Sequence, residues 1–379
     1  MSFYRDKKVL VTGHTGFKGS WLCKMLLMAG AKVTGYALAA GQMENGTKNE
    51  ALFDLAGLAS QMDSRIGDIR DFEALRRVFD EVQPEIVFHL AAQPIVRESY
   101  VNPRYTYETN VMGTVNLLEC VRLCKSVRSV LNVTTDKVYK NNEWAYGYRE
   151  VDPLDGYDPY SNSKSCSELV THSYVNSFFN NHPTGCEGDG SPAVAVSTAR
   201  AGNVIGGGDF AKDRIIPDCI RAMEKGEIIG VRNPYSTRPY QHVLEPLYAY
   251  MMIAAKQYED NAYAGYYNVG PDDCDCLTTG ELVTMFCSQW NALTAKKQYD
   301  SACSFPYAEW ENQAQENAPH EANFLKLDCS KLKSVFGWKP RLHMDACMEM
   351  TVRFSLLYLS GGDLNKEMEQ EITELLRES

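Results

Sequence analysis

The strongest constraint on this chain lies near its start, where residues 12–19 read TGHTGFKG between the apolar run Val9-Leu10-Val11 and a helical stretch over 20–28. A strand that turns through glycines directly into a helix is the phosphate-binding unit of a dinucleotide fold. Gly13 permits the tight turn, Gly16 lets a pyrophosphate approach the backbone, and Gly19 lets the helix pack closely on the strand. The helix N-terminus then offers unpaired N–H groups to phosphate. Thr15 and Phe17 belong to the same cofactor-binding turn, and Lys18 adds positive charge there, with a solvated loop lysine as an equal reading. His14 reads as a loop residue.

The rest of the first half alternates short β-branched runs with helical stretches, as in a parallel sheet covered on both faces. Strands are expected at 8–12, 32–36, 64–68, 85–91, 129–134 and 193–198, and helices at 19–29, 72–83, 105–125 and 160–179. With right-handed crossovers this predicts a doubly wound α/β sheet of Rossmann type. At 379 residues, 44% of them hydrophobic, the chain has room for a second, smaller mixed lobe. We divide it into a dinucleotide-binding domain over 1–202, with a return strand near 266–270, an interleaved substrate-binding lobe over 203–360, and an acidic surface helix over 361–379. Residues 180–192, NNHPTGCEGDGSP, read as an exposed loop.

A net charge of −11 argues against nucleic acid or an anionic membrane as partner. No secretory leader or membrane span is legible, so a cytoplasmic location is expected. The 12 cysteines form no disulfide framework. Cys274 and Cys276 lack a second Cys or His pair at zinc-finger spacing, so no metal is expected.

After the third strand, Asp68 and Ile69 stand where an adenine ring would lie, and Asp68 reads equally as the cap of the following helix. Ala91 and Ala92, after the fourth strand, are small where a cofactor must pass, whereas His89 reads as a packed strand residue. The second strand ends in Gly35-Tyr36-Ala37, without the acid that bonds a ribose 2′-hydroxyl or an Arg for a 2′-phosphate, so these residues leave NAD and NADP open. Tyr160 and Lys164, four apart, share one helix face, where a cation would favour the phenolate and bring a tyrosine toward useful basicity. What separates this pair from the equally spaced Tyr4 and Lys8 is its place after Thr135-Asp136-Lys137, at the carboxyl end of the fifth strand, which borders the ligand crevice.

These motifs, with GDIRDF, FHLAAQPIVRESY, TNVMGTVNLLE, TTDKVY, YDPYSNSK, RAGNVIGGGDFAKDR, RNPYSTRPYQHVLEPL, YNVGP and PHEANFLKLDCSK, resemble the CDP-glucose 4,6-dehydratases over nearly the full chain. These belong to the nucleotide-sugar dehydratases of the extended short-chain dehydrogenase/reductase superfamily. The resemblance implies NAD as cofactor, a nucleotide-sugar substrate, and a homodimer or dimer of dimers built through the helices over 105–125 and 160–179. It implies that Tyr160 takes the sugar 4-hydroxyl proton as hydride leaves C4, with Thr135 on the same oxygen and Lys164 on the nicotinamide ribose. Asn110 matches the superfamily's catalytic asparagine, Asp136 is suited to protonate the departing C6 hydroxyl, and Arg238 and Asn203 match substrate-binding positions, with Lys212 and Arg214 as further charges. Lys137 departs from the dTDP-glucose enzymes, which carry Glu there, and acts either as the C5 base or as a cation stabilising the enolate. A 4-epimerase or decarboxylase would share the turn and the Tyr-Lys pair, but Asp136-Lys137 speaks against it. The intact pair likewise speaks against a non-catalytic cofactor sensor.

Overall fold

The computed structural model describes residues 2–42, 49–179, 193–296, 305–314 and 324–377; the loop expected over 180–192 lies outside them. Its framework is a sheet of seven parallel strands: β1 (Lys8–Thr12), β2 (Lys32–Ala37), β3 (Asp63–Ile66), β4 (Ile86–His89), β5 (Ser129–Thr135), β6 (Ala195–Ala201) and the returning strand Tyr266–Val269. They lie side by side in the order Tyr266–Val269, β6, β5, β4, β1, β2, β3. The order reverses between β1 and β4, and at such a switch point the chain leaves neighbouring strands in opposite directions and opens a crevice at their carboxyl ends. β4, β5 and β6 are buried throughout, which explains their near-continuous apolar and β-branched sequence.

Several elements depart from the sequence expectation for local reasons. β3 stops at Ile66, because Gly67 packs beneath the Tyr36 ring, 2.5 Å from where a Cβ would sit, and the chain turns there. The helix expected over 105–125 is three pieces: Pro103–Tyr107, a π turn at Glu108–Met112, and Gly113–Leu123. The helix expected over 160–179 is α-helical over Pro159–Tyr174 and ends in a second π turn, Val175–Phe179. Asp158 caps its start by accepting from Ser161 N at 3.0 Å, and Pro159 fits the first turn, where no N–H partner is needed.

Beyond β6 the smaller lobe uses ladders of two or three residues. Val204–Ile205 pairs with Gln241–His242, Thr237–Pro239 with Cys276–Thr278, and Ile229–Val231 with Trp310–Asn312. The C-terminal helix Leu364–Arg377 lies on the surface with its apolar face inward. It buries Met368, Ile372 and Leu375 in the main core, and its Glu369 pairs with the buried Lys24 at 2.7 Å.

Candidate active site

The glycine turn after β1 is shaped from both sides. A Cβ on Gly13, whose φ is +77°, would lie 2.7 Å from Ala91 N, and one on Gly19 would lie 2.1 Å from Gly13 O. Gly16, by contrast, is exposed and meets nothing nearer than 3.4 Å. The helix that follows, Phe17–Met28, has no side-chain cap, so its first N–H groups are free for an anion. This is a cradle that fits a cofactor pyrophosphate. The Thr15 hydroxyl donates to Leu38 O at 2.9 Å and ties the turn to the end of β2.

His14 is a structural residue here. Its ring packs over Gly35, bonds Ser64 Oγ at 2.7 Å and lies edge-on to Phe53, and burial lowers its pKa to about 4. His89 bonds Thr12 Oγ1 at 2.7 Å inside the sheet. Lys18 is half-buried and lies near Arg214, Asp136, Lys164 and Lys137. Burial, with the charges of Arg214, Lys164 and Lys137 opposed by Asp136, lowers its pKa to about 8.

Asp68 does not cap the next helix; Asp71 does, accepting from Ala74 N at 2.9 Å. Asp68 instead accepts from Arg70 N at 2.9 Å and grips the Arg70 guanidinium. Ile69 is buried against Gly113, and Ala91 and Ala92 are half-buried beside the turn. Asn110 sits on the π turn, where its amide accepts from Gln93 N at 2.8 Å and donates to Gln93 O at 3.1 Å and Ser163 Oγ at 2.9 Å. Its polar atoms are thus spent on joining the segment after β4 to the Pro159–Tyr174 helix.

At the carboxyl end of β5 the candidate catalytic groups converge. The Tyr160 phenol lies beside the Thr135 hydroxyl, which donates to Asp136 Oδ1 at 2.9 Å. Asp136 is fully buried, and its Oδ2 has no hydrogen-bond partner. Lys137 Nζ reaches Asp136 Oδ1 at 3.3 Å and Asn203 Oδ1 at 3.2 Å. Lys164 Nζ donates to Val133 O at 3.1 Å, and burial lowers its pKa to about 8 against the raising effect of Glu168.

Lys164 gives one of its three ammonium N–H groups to a carbonyl. Burial pushes the Tyr160 phenol up to about 12, opposed by the Thr135 hydroxyl and the Arg214 charge. Arg214 pairs with Asp209 at 2.8 Å and lies close enough to act on both Tyr160 and Lys18. Arg238 is buried on the Thr237–Pro239 strand, next to the Pro239 that packs on Gly202 near Asp136. Lys212 is exposed and lines a cavity with Phe210, Arg221 and Tyr358 that includes none of the catalytic groups.

Two residues that the sequence reading passed over complete the surroundings, Glu168 and Arg200, a buried ion pair at 2.9 Å. Both left a signal. Glu168 falls four residues after Lys164 on the same face, and Arg200 is a lone charge in a buried strand.

A glycine turn at the switch point, with a tyrosine and an acid–amine pair at the adjoining strand end, is the arrangement of the short-chain dehydrogenase class in its extended form. The chain belongs to the GDP-mannose 4,6 dehydratase family, whose model matches residues 10–351. It is 46% identical over 376 residues to a CDP-glucose 4,6-dehydratase of Salmonella typhimurium, covering 99% of this chain and 98% of that one. It is 25% identical over 363 residues to a probable dTDP-glucose 4,6-dehydratase of Sinorhizobium fredii, covering 94% and 93%. Among solved structures, dTDP-glucose 4,6-dehydratase from Bacillus anthracis in complex with NAD superposes with a TM-score of 0.69 at 20% identity, over 96% of this chain and 99% of that one. UDP-glucose 4-epimerase of Thermotoga maritima with UDP-glucose gives 0.69 at 21%, over 91% and 97%.

Proposed function

We propose that this chain is an NAD-dependent hydro-lyase that converts CDP-D-glucose to CDP-4-keto-6-deoxy-D-glucose and water. The observation that carries the reading is the buried Asp136 carboxylate, held between the Thr135 hydroxyl and the Lys137 amine beside the Tyr160 phenol. Simple hydride exchange at C4 needs only the tyrosine; eliminating water across C5 and C6 needs an acid and a base as well. The similarity to the Salmonella CDP-glucose enzyme along almost the whole chain supports the cytidine nucleotide and glucose. NAD bound in the glycine cradle supplies a hydride acceptor at C4 and the same hydride for C6.

The chain's own groups account for the protons. Tyr160, as the phenolate left once its own proton has passed to solvent, takes the 4-hydroxyl proton, with Thr135 turning to support the phenol oxygen. Lys137 and Asp136, as an ion pair at 3.3 Å, are one proton shift from the neutral amine and protonated acid that elimination needs. Substrate that expels water from the pocket favours the neutral pair. Lys137 then removes the C5 proton while Asp136 protonates the departing C6 hydroxyl. Lys137 returns a proton to C5 when hydride reaches C6, and the proton gained by Tyr160 replaces the one lost with water. Asn203 steers the amine, and Arg238 and Arg214 are the cations for the substrate diphosphate. The sugar lies between the dinucleotide-binding part, 1–202 with its return strand, and the lobe over 203–360, to which Lys212 adds charge.

Assay of CDP-, UDP- and dTDP-glucose and GDP-mannose for dehydrated product, with and without added NAD, tests the reading. CDP-glucose turnover with loss of one water is expected, and turnover of every nucleotide except CDP would defeat it. Because Lys164 holds its place as a cation, its contribution to activity is expected to be fully present below pH about 8 and to be lost above it, which gives the profile an alkaline limb. A pH–rate profile that climbs undiminished past that point contradicts a role for charged Lys164.

Among the described residues no helix is long and apolar enough to cross a membrane, and a cytoplasmic enzyme is part of the proposal. So is a homodimer. Tyr107, Met112 and Leu123 on the broken helix and Leu169 and Phe178 on its neighbour are exposed on the two elements named for the interface. Light scattering after size exclusion should give twice the chain mass, and Met112→Glu/Leu169→Glu should yield monomer.

A further inference from the structure

The turn that bears Asp136 and Lys137 is held on both sides by one buried ion pair outside the reacting groups. Glu168, 1% exposed, lies one helical turn beyond Lys164 and pairs with Arg200, 2% exposed, on β6. Glu168 Oε1 accepts from the Thr134 hydroxyl at 2.5 Å, and Oε2 accepts from Thr198 at 2.8 Å. Thr134 stands immediately before Thr135 and Asp136. Arg200 Nη1 donates to the Tyr139 hydroxyl at 2.9 Å and to Glu150 O at 3.1 Å, and Tyr139 follows the Asp136–Val138 turn. The Tyr139 hydroxyl is anchored in its turn on Asn268 at 2.7 Å. Alongside, Lys164 fixes Val133 O at 3.1 Å, so one helix face grips two successive residues of the strand end.

A buried ion pair contributes little net stability compared with well-packed apolar side chains of the same volume. What this one does contribute is fixed geometry at Thr134 and Tyr139. We propose that Glu168 and Arg200 are positioning residues, which hold Thr135, Asp136 and Lys137 in register with Tyr160 and Lys164 by fastening the catalytic turn at both of its ends. The proposal rests on the dehydratase reading of the site. Glu168 has a second effect on Lys164. The groups that act on that ammonium are Glu168 from its own helix, His89 from β4 and Lys18 from the glycine turn, and Glu168 is the anion that keeps it charged.

The test compares the unaltered enzyme with Glu168→Gln and with Thr134→Val/Tyr139→Phe, which removes both grips and leaves the ion pair whole. Dehydrated CDP-sugar from the unaltered enzyme secures the underlying reading, so that losses in the variants speak to the pair alone. Displacing reacting groups by about 1 Å costs on the order of 100-fold in rate, and a fall in kcat of that order is expected in both variants, with KM within about twofold and circular dichroism unchanged. In Glu168→Gln the alkaline limb of the pH–rate profile should also move to lower pH, because the anion that raises the Lys164 pKa is gone. Unchanged kcat in the folded double variant overturns the proposal, whether or not Glu168→Gln folds. So does a loss that merely follows the folded fraction or KM while the alkaline limb stays in place.

Discussion

Tyr160→Phe is expected to lower kcat on CDP-glucose by about 10²- to 10⁴-fold, the range by which a positioned proton acceptor accelerates such steps. The phenol is the group at the strand end that can take the 4-hydroxyl proton. Lys164 is committed to the Val133 carbonyl, and Thr135 has a single proton already given to Asp136. Because burial pushes Tyr160 up to about 12, little phenolate exists before substrate binds, and the phenol must give its own proton to solvent before it can take the one on the sugar 4-hydroxyl. Losing one hydrogen bond costs only about 1 kcal/mol of stability. The melting temperature should therefore scarcely move, and NAD binding, followed by protein fluorescence, should be retained. Steady-state rates beside a thermal melt check this; a variant within about tenfold of the parent would show that another group receives the proton.

The second large effect separates oxidation from elimination. Asp136→Asn and Lys137→Met leave Tyr160, Lys164 and the cradle intact, so C4 should still be oxidised. Elimination should then stall, with overall turnover down by about 10²- to 10⁴-fold. The expected signature is enzyme-bound reduced nicotinamide, which builds up on mixing with CDP-glucose and is visible by its near-ultraviolet absorbance. Asp136→Asn also leaves Lys137 without its anion and Thr135 with an amide to bond, so its melting temperature should be recorded in parallel. If either variant turns over normally, the proton shift between Asp136 and Lys137 is not part of the reaction. If neither oxidises C4, the two residues serve binding instead.

Much of this was legible in the chain because its period and punctuation are unambiguous where the sheet is buried. β1 is bounded as expected, and β2 and β5 run one residue further, since parallel strands covered on both faces are written as unbroken apolar, β-branched runs. The glycine turn was legible for the same reason, standing between a clear strand and a clear helix. The π turns were not, since a single inserted residue leaves the apolar pattern of a helix almost unchanged. The smaller lobe's ladders of two or three residues are too short to carry any period. His14 is the turn residue expected, but its burial against Gly35 of another strand could not be read locally, and of the two readings of Asp68 the helix cap fell instead to Asp71, three residues on. At the site, residue types and spacing marked Tyr160, Lys164, Asp136 and Lys137. They did not reveal that the Lys164 ammonium would be turned to a carbonyl, or that Glu168 and Arg200 would grip the turn from both ends, since these are facts of tertiary packing.

The account stands on one sequence of events, hydride leaving C4, water lost across C5 and C6, and that hydride returning to C6. CDP-glucose carrying deuterium at C4 tests it most directly, by nuclear magnetic resonance and mass of the product. We predict a product lighter by one water with the deuterium in its C6 methyl group; deuterium restored to C4 of an undehydrated sugar, as an epimerase would leave it, would contradict the account.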